Sequence, residues 1–176
     1  PGFDSFTGRV YRFEPVQGGA WAWMDTFAAP ASAPPRYGAV LSAQDDTLAI
    51  ASSPYVGVPN EIAVHERQGN GAFALAHTYK QTAFPQPWQA ESIRLSRDDS
   101  TSRLFIGLPT ADVGSRIDQG SVLVATRGAS GWPAYLTEQV DTGPSAADSN
   151  FGNSMAISGN RAAMGAEWHH VGFNAQ

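Results

Sequence analysis

The sequence predicts an all-β fold, a β-propeller built from four-stranded antiparallel blades. Apolar runs of four to seven residues recur along the chain, each bounded by Gly, Pro, Asn, Asp or Ser, which is typical of short strands. The chain also repeats itself with a period of 57 residues, and each repeat holds four such runs. Because a single four-stranded sheet cannot cover both of its faces, repeats of this kind stack side by side.

The repeat is clearest between residues 37–51 and 151–165, which align without a gap and both begin with an aromatic residue and Gly. Tyr37 and Phe151 are 114 residues apart, which is two periods. A middle copy beginning at residue 89 fits if residues 97–102 form a turn four residues longer than the others. Gln89 and Ala90 replace the aromatic residue and Gly there, so the middle blade departs from the pattern.

The predicted strands fall into four types, named A to D in their order within a blade. Residues 1–36 hold the second half of a blade, 37–88 and 89–150 one blade each, and 151–176 the first half of a blade. Strand A begins near residues 37, 89 and 151, strand B near 47, 103 and 161, strand C near 8, 61 and 120, and strand D near 20, 72 and 132. Large aromatics recur at the start of strand D, at Trp21, Phe73 and Trp132, which predicts packing between blades.

Ring closure limits what this chain does alone. Propellers close with about four to eight blades, and four repeats of 57 residues would exceed the 176 residues present. The sequence therefore predicts a partial or shared ring of about three blades in this chain. The expected partner is the remainder of a larger propeller or another chain, and two or more copies sharing a ring is the alternative.

Composition excludes several classes of protein. The chain has 11 basic and 16 acidic residues and a single lysine, Lys80, so it lacks the basic surface that nucleic-acid binding needs. No window is apolar enough for a membrane span, and the first residues lack the blocks of a signal peptide. The absence of cysteine excludes disulfides, thiolate metal sites and a thiol nucleophile.

Two segments resemble FG-GAP repeats, the blades of integrin α-subunit propellers and of many bacterial surface and secreted proteins. Residues 151–166, followed by Val171 and Gly172, are similar to the opening of such a repeat, and residues 106–124 are similar to its middle. The resemblance covers essentially the whole chain in three units. It implies an integrin-like propeller that is secreted or lies at the cell surface, of bacterial type, and that serves adhesion or binding.

The predicted A–B turns depart from the calcium loops of that family. Those loops carry oxygen ligands at alternating positions, whereas residues 43–46 and 158–160 are too short to surround an ion. Residues 97–102 offer only Asp98 and Asp99 with hydroxyl groups. Gly, Asn and Asp at these places predict tight hairpin turns, so no cofactor is expected, with calcium as the alternative.

The motifs of enzyme chemistry are missing. The sequence has no His-Glu-x-x-His, no Gly-x-Ser-x-Gly and no phosphate-binding glycine loop. Its carboxylates are scattered and select no acid–base pair. Adjacent histidines on an extended segment point in opposite directions, so His169 and His170 are poorly placed to bind one metal ion. No catalytic and no metal-binding residue is predicted.

The B–C connections are the predicted binding surface, because they are the longest connections and differ most between units. They span residues 53–60, 109–119 and 167–176 and lie at one end of a propeller. Their candidate ligand-binding residues are Tyr55, Asp112, Arg116, Trp168, His169 and His170. Trp88 and Trp168 lie outside the repeating aromatic position and are also candidates for ligand stacking.

The sequence thus favours a non-enzymatic binding and adhesion module whose ligand is a protein or a carbohydrate. Two alternatives stay open at this point. The chain is the propeller portion of a secreted enzyme or complex with its active site elsewhere, or it is a purely architectural assembly subunit.

Overall fold

The protein is all-β in the computed structural model, which describes residues 8–29, 36–52, 61–80, 90–98, 101–134, 136, 138–140 and 148–167. Twelve strands follow one another within these residues: β1 (Arg9–Pro15), β2 (Trp21–Ala28), β3 (Tyr37–Gln44), β4 (Thr47–Ser52), β5 (Glu61–Arg67), β6 (Phe73–Lys80), β7 (Ser92–Asp98), β8 (Thr101–Leu108), β9 (Ser121–Thr126), β10 (Glu138–Val140), β11 (Phe151–Ser158) and β12 (Arg161–Ala166). Among the described residues, no helix has the length and apolar character needed to cross a bilayer.

The strands form four antiparallel sheets in chain order. Strands β3 to β6 and strands β7 to β10 each form a four-stranded sheet in which every strand pairs with the next one. Strands β1 and β2 form a two-stranded sheet before them, and β11 and β12 another after them. The predicted strand types A to D therefore map onto β3–β6 and β7–β10, with C and D in the first sheet and A and B in the last.

Both faces of the two four-stranded sheets are buried, because successive residues of a strand point to opposite sides. In β4, Ala49 and Ala51 face the β7–β10 sheet, whereas Leu48 and Ile50 face β1 and β2. In β9, Leu123 faces back toward β3–β6, and its neighbours face β11. Each sheet thus packs between its neighbours in the chain, and three apolar layers separate the four sheets.

The strands of type A, β3, β7 and β11, lie beside one another and are linked by hydrogen bonds between sheets. The Ser42 hydroxyl of β3 accepts a hydrogen bond from the Leu95 amide at 2.8 Å. The Ser92 hydroxyl donates to the Gly152 carbonyl at 2.6 Å, and the Arg94 side chain donates to the Met155 carbonyl at 3.0 Å. The first strand of each four-stranded sheet is therefore fixed directly to the first strand of the next sheet.

The repeated pair of an aromatic residue and Gly forms the same contact twice. Phe151 bridges Gly120 of the preceding connection, and a Cβ atom on Gly120 would lie 2.3 Å from the Phe151 carbonyl oxygen. A Cβ atom on Gly8 would lie 1.8 Å from the Tyr37 carbonyl oxygen. Both aromatic residues are followed by Gly with a positive φ, 91° at Gly38 and 90° at residue 152, and by an irregularity in the ladder.

The predicted hairpins between strands A and B are confirmed as tight turns at 45–46 and 159–160. The middle hairpin differs from its prediction, because its four extra residues do not form a longer turn. They lengthen both strands, so that Arg97 pairs with Ser102 and Asp98 with Thr101. Extending a ladder satisfies the backbone hydrogen bonds that a longer loop would leave to water.

Two strand positions of types C and D also differ from prediction. Val10 corresponds to Ile62, because their partners Phe27 and Tyr79 occupy the same place in the two ladders. The predicted alignment of strand C, in which residue 8 corresponds to residue 61, is therefore out by one residue. The last strand of the third sheet begins at Glu138 and not near residue 132. The chain there leaves the ladder after the Gly128–Gly131 turn and rejoins it opposite β9.

The recurring aromatics have three different environments. Trp132 is buried against the preceding sheet, and Phe73 is half-buried in the layer between β1–β2 and β3–β6. Both agree with the prediction of packing between sheets. Trp21 does not, since it is 68% exposed. It lies on the face of β1–β2 that no described residue covers.

Candidate functional site

The candidate site is the connection 109–120 between β8 and β9, which contains two of the predicted ligand-binding residues. Asp112 and Arg116 lie on this loop. The other four, Tyr55, Trp168, His169 and His170, lie outside the described residues, and so does Trp88. The described part of the predicted binding surface is therefore this loop, together with the segment that holds it.

The tip of the loop is a tight antiparallel turn. Val113 and Arg116 donate backbone hydrogen bonds to each other at 3.0 and 3.2 Å, and Gly114 takes a positive φ of 66° between them. The Asp112 carboxylate accepts a hydrogen bond from the Asp118 amide at 3.0 Å. The Arg116 guanidinium donates to the Gln119 side-chain oxygen at 3.3 Å. The two predicted residues are thus brought into one small hydrogen-bonded unit.

The base of the loop is fixed to the segment that leads into β11. The amides of Asp148 and Asn150 donate to the carbonyls of Ile117 and Asp118 at 3.0 and 3.2 Å. The Ser149 hydroxyl donates to the Gln119 carbonyl at 2.7 Å, and both residues are fully buried. Such a clamp lowers the entropy that the loop would lose on binding a ligand.

The loop presents one large apolar side chain to solvent. Ile117 is 64% exposed although its carbonyl accepts a hydrogen bond from Asp148, in the segment that leads into β11. Arg116 and Asp118 flank it in the chain, so the loop combines an exposed apolar side chain with charged residues, as many binding sites do. Sequence reasoning missed Ile117 and the clamp at 148–150. The only signal was the cluster of Asp and Asn residues, which tolerate the left-handed backbone that Asp118, Asp148 and Asn150 adopt.

Three grooves run between neighbouring sheets at the opposite end, beside the A–B turns. The first has a volume of about 370 Å³ and lies between β1 and β3–β4. The second, of about 170 Å³, is lined mainly by charged residues, and the third, of about 250 Å³, lies between β8 and β12. They recur at each junction, and the charged side chains in the first two are engaged in ion pairs.

Those ion pairs join the sheets. Glu14 of β1 forms ion pairs with Arg12 on its own strand and with Arg67 of β5. Both arginines lie over the Phe73 ring, at 5.1 and 5.4 Å from its centroid. A hydrogen bond from Arg12 to Asp25 holds the pKa of the Arg12 guanidinium above its usual value.

Glu66 links the two four-stranded sheets. It accepts hydrogen bonds from Arg127 at 2.5 Å and from the Trp132 indole at 2.8 Å. The bond from Arg127 is the main reason that the pKa of Glu66 lies below its usual value. Glu66 therefore stays charged, and its hydrogen bonds hold Arg127 and Trp132, which follow β9, against the β3–β6 sheet.

No group of three or more metal-ligating side chains exists within the described part of the chain. The absence of a cofactor stays a prediction from the sequence. The loop 109–120 thus combines an exposed apolar side chain and charged residues with a backbone that is hydrogen bonded to residues 148–150. No protein-family model matches the chain, and no curated protein matches it either.

Proposed function

We propose that this chain is an FG-GAP-like β-propeller segment that binds a protein or carbohydrate ligand outside the cell or at the cell surface, without chemistry of its own. Two features support the propeller arrangement. The sheets stack in chain order with type A strands adjacent, and the aromatic–Gly contact recurs at residues 37 and 151. Both are expected of blades arranged around an axis.

The observation that carries the binding function is the clamped loop 109–120. Its base is hydrogen bonded to residues 148–150, which lead into β11, and Gln119 is buried there, while the Ile117 side chain beside it is exposed. A mobile connector would not make these hydrogen bonds to a distant segment of the chain. Loops on a rigid scaffold are where binding residues concentrate.

The test is retention on a glycan array and on a panel of purified extracellular matrix proteins. We expect the wild-type protein to bind a defined subset and Arg116→Glu to lower that binding about tenfold or more, as truncation of an interface arginine typically does. Arg97→Glu is the matched control, because Arg97 is an exposed arginine at the opposite end of the sheets. Wild-type protein that binds neither panel, or equal loss in both variants, would reject the proposal.

A further inference from the structure

The two ends of the stack carry half-sheets of complementary strand types. The β1–β2 sheet holds strands of types C and D, and the β11–β12 sheet holds types A and B. Among the described residues, β1 pairs only with β2, and β12 only with β11. In the complete sheets, types B and C are the strands that pair at this position, β4 with β5 and β8 with β9.

The register of β12 follows from its likeness to β4. Arg161 takes the place of Thr47, because each is the first strand residue after a two-residue turn. Gly165 then takes the place of Ala51, four residues further on. In the complete sheet, Thr47 and Ala51 pair with residues 66 and 62 of β5.

The register of β1 follows in the same way from β5. Val10 takes the place of Ile62, because their partners Phe27 and Tyr79 correspond and both ladders shift register three residues later. Glu14 then takes the place of residue 66. A pairing of β12 with β1 that repeats the complete sheet would set Gly165 opposite Val10 and Arg161 opposite Glu14.

This register is complementary in charge and in volume. Arg161 and Glu14 carry opposite charges, which is favourable for a cross-strand pair. On one face, Ala162 would lie opposite Phe13 and Met164 opposite Tyr11. Phe13 and Tyr11 are 51% and 56% exposed in the single chain, and small or flexible side chains on β12 leave room for them.

The edge of β12 also lacks the usual protection against pairing. From Ala162 to Ala166 the strand carries no charge and no proline, the two devices that most often block an exposed edge. An edge of this kind is a template for another strand. In a pairing of β12 with β1, the exposed aromatic side chains of β1–β2 would add apolar contact area next to this edge.

We propose that a second copy of this chain completes both half-sheets, with β12 of each copy paired antiparallel to β1 of the other. Each copy contributes two complete sheets, and the two junctions supply two more, so the pair reaches six sheets, within the usual range of about four to eight. The described strands of one copy, closed on themselves, would form only three sheets. The inference rests on the propeller arrangement of the proposed function, and the interface closes by a twofold axis.

The first experiment is sedimentation velocity of the full chain over a range of concentrations. We expect a mass about twice the 18.7 kDa of one chain. Tyr11→Asp and Phe13→Asp should weaken the association about tenfold or more, because both residues become buried. Trp23→Asp is the control on the same sheet. Trp23 corresponds to Leu75, which stays 53% exposed in the complete sheet, so its change should leave the mass unaltered.

The second experiment tests the register by thiol cross-linking, which is clean because the chain has no cysteine. Tyr11→Cys and Met164→Cys proteins are mixed, and a short thiol-to-thiol reagent should join them into a covalent dimer. Directly opposed residues lie about 4.5–5.5 Å apart at Cβ. Ala163→Cys in place of Met164→Cys should not cross-link, because its side chain points to the other face.

The outcomes separate this inference from the proposed function. A monomer at all concentrations, or equal cross-linking of Met164→Cys and Ala163→Cys, overturns the second-copy proposal even when ligand retention is intact. A dimer that binds neither ligand panel supports the pairing of β12 with β1 and rejects the binding function. Equal weakening by Phe13→Asp and Trp23→Asp also overturns the proposed register.

Discussion

At the scale of single residues, the junctions between sheets depend on the absence of side-chain atoms. Gly120 and Gly8 allow the backbone of the next sheet to approach to a distance that any Cβ atom would block. The aromatic–Gly repeat can be recognised in the sequence, but the contact that it makes between neighbouring sheets cannot. The glycine that matters most for the contact lies on the preceding sheet, and only the fold brings the two together.

Gly120→Ala should therefore destabilise the protein strongly. A Cβ atom at residue 120 would lie 2.3 Å from one backbone atom of Phe151 and 2.4 Å from another, so the two sheets must separate. Gly71→Ala is the matched control, because Gly71 has nearly the same φ, 82° against 80°, but open space around it. We expect the free energy of unfolding, measured in urea, to fall at least about 2 kcal/mol further in Gly120→Ala. Equal losses would show that backbone strain alone sets the requirement for glycine.

His65 provides a test by pH. It lies between the first two sheets, hydrogen bonded to the Tyr37 hydroxyl at 3.2 Å and packed edge-on against Phe27. Burial lowers the pKa of His65 below its ordinary 6.5 and is also the main cause that raises the pKa of Tyr37 to about 12. The unfolded chain then binds a proton more readily than the folded one, so stability is complete above the unfolded pKa and is lost as pH falls through it.

We expect the free energy of unfolding to decrease between about pH 7 and pH 5, and to decrease less in His65→Gln. Burial also lowers the pKa of His77, so that some of the slope should persist in the single variant. Unfolding curves in urea at several pH values measure it. A slope unchanged by His65→Gln would contradict the assignment.

At the scale of elements, the sequence predicted the strands better than their pairing. The two-residue turns at 45–46 and 159–160 follow from local turn chemistry and were predicted correctly. The extended hairpin of β7 and β8 and the late start of β10 were not, because both depend on which ladder the chain can join. Likewise the connection 109–119 was predicted as a binding surface, but its hydrogen bonds to residues 148–150 join residues that are distant in the chain.

The link between the two four-stranded sheets is also an element-scale feature. Glu66→Ala should lower the free energy of unfolding by about 1–2 kcal/mol, because Arg127 and the partly buried Trp132 indole both lose a charged acceptor. Asp45→Asn is the control, because Asn tolerates the left-handed backbone of residue 45 as Asp does. Asp45 pairs with Arg97 at 3.8 Å, and both side chains are about half exposed, so the loss of this charge should cost almost nothing. A similar cost for both variants would reject a specific role for Glu66.

At the scale of the whole molecule, the stack is best protected in its middle. Strands β4, β5, β8 and β9 are covered on both faces, whereas the described residues cover β1–β2 and β11–β12 on one face each. The sequence predicted this layout of two full sheets and two halves from the repeat alone. The sequence could not predict that Trp21 is exposed, because the exposure of a side chain depends on which sheet packs against it. The sequence of its own strand does not show that.

Amide hydrogen exchange should follow this layout. We expect the slowest exchange in β4, β5, β8 and β9, with free energies of opening close to that of global unfolding. At low protein concentration, β1 and β12 should exchange faster. Uniform protection across all four sheets in a dilute sample would contradict the layered arrangement.

The three seams between neighbouring sheets are held by different combinations of contacts. Glu14 forms an ion pair with Arg67 across the first, and Glu66 binds Arg127 and Trp132 across the second. The first and third seams share the contact of a glycine with an aromatic residue, Gly8 with Tyr37 and Gly120 with Phe151. Each sheet therefore recognises its own neighbour, and a rearranged order would set charged groups against seams that offer them no counterpart. If one repeat were duplicated or exchanged, the contacts at the two junctions beside it would both have to change. We therefore expect the number and order of repeats to change less easily in evolution than the similarity of the repeats suggests.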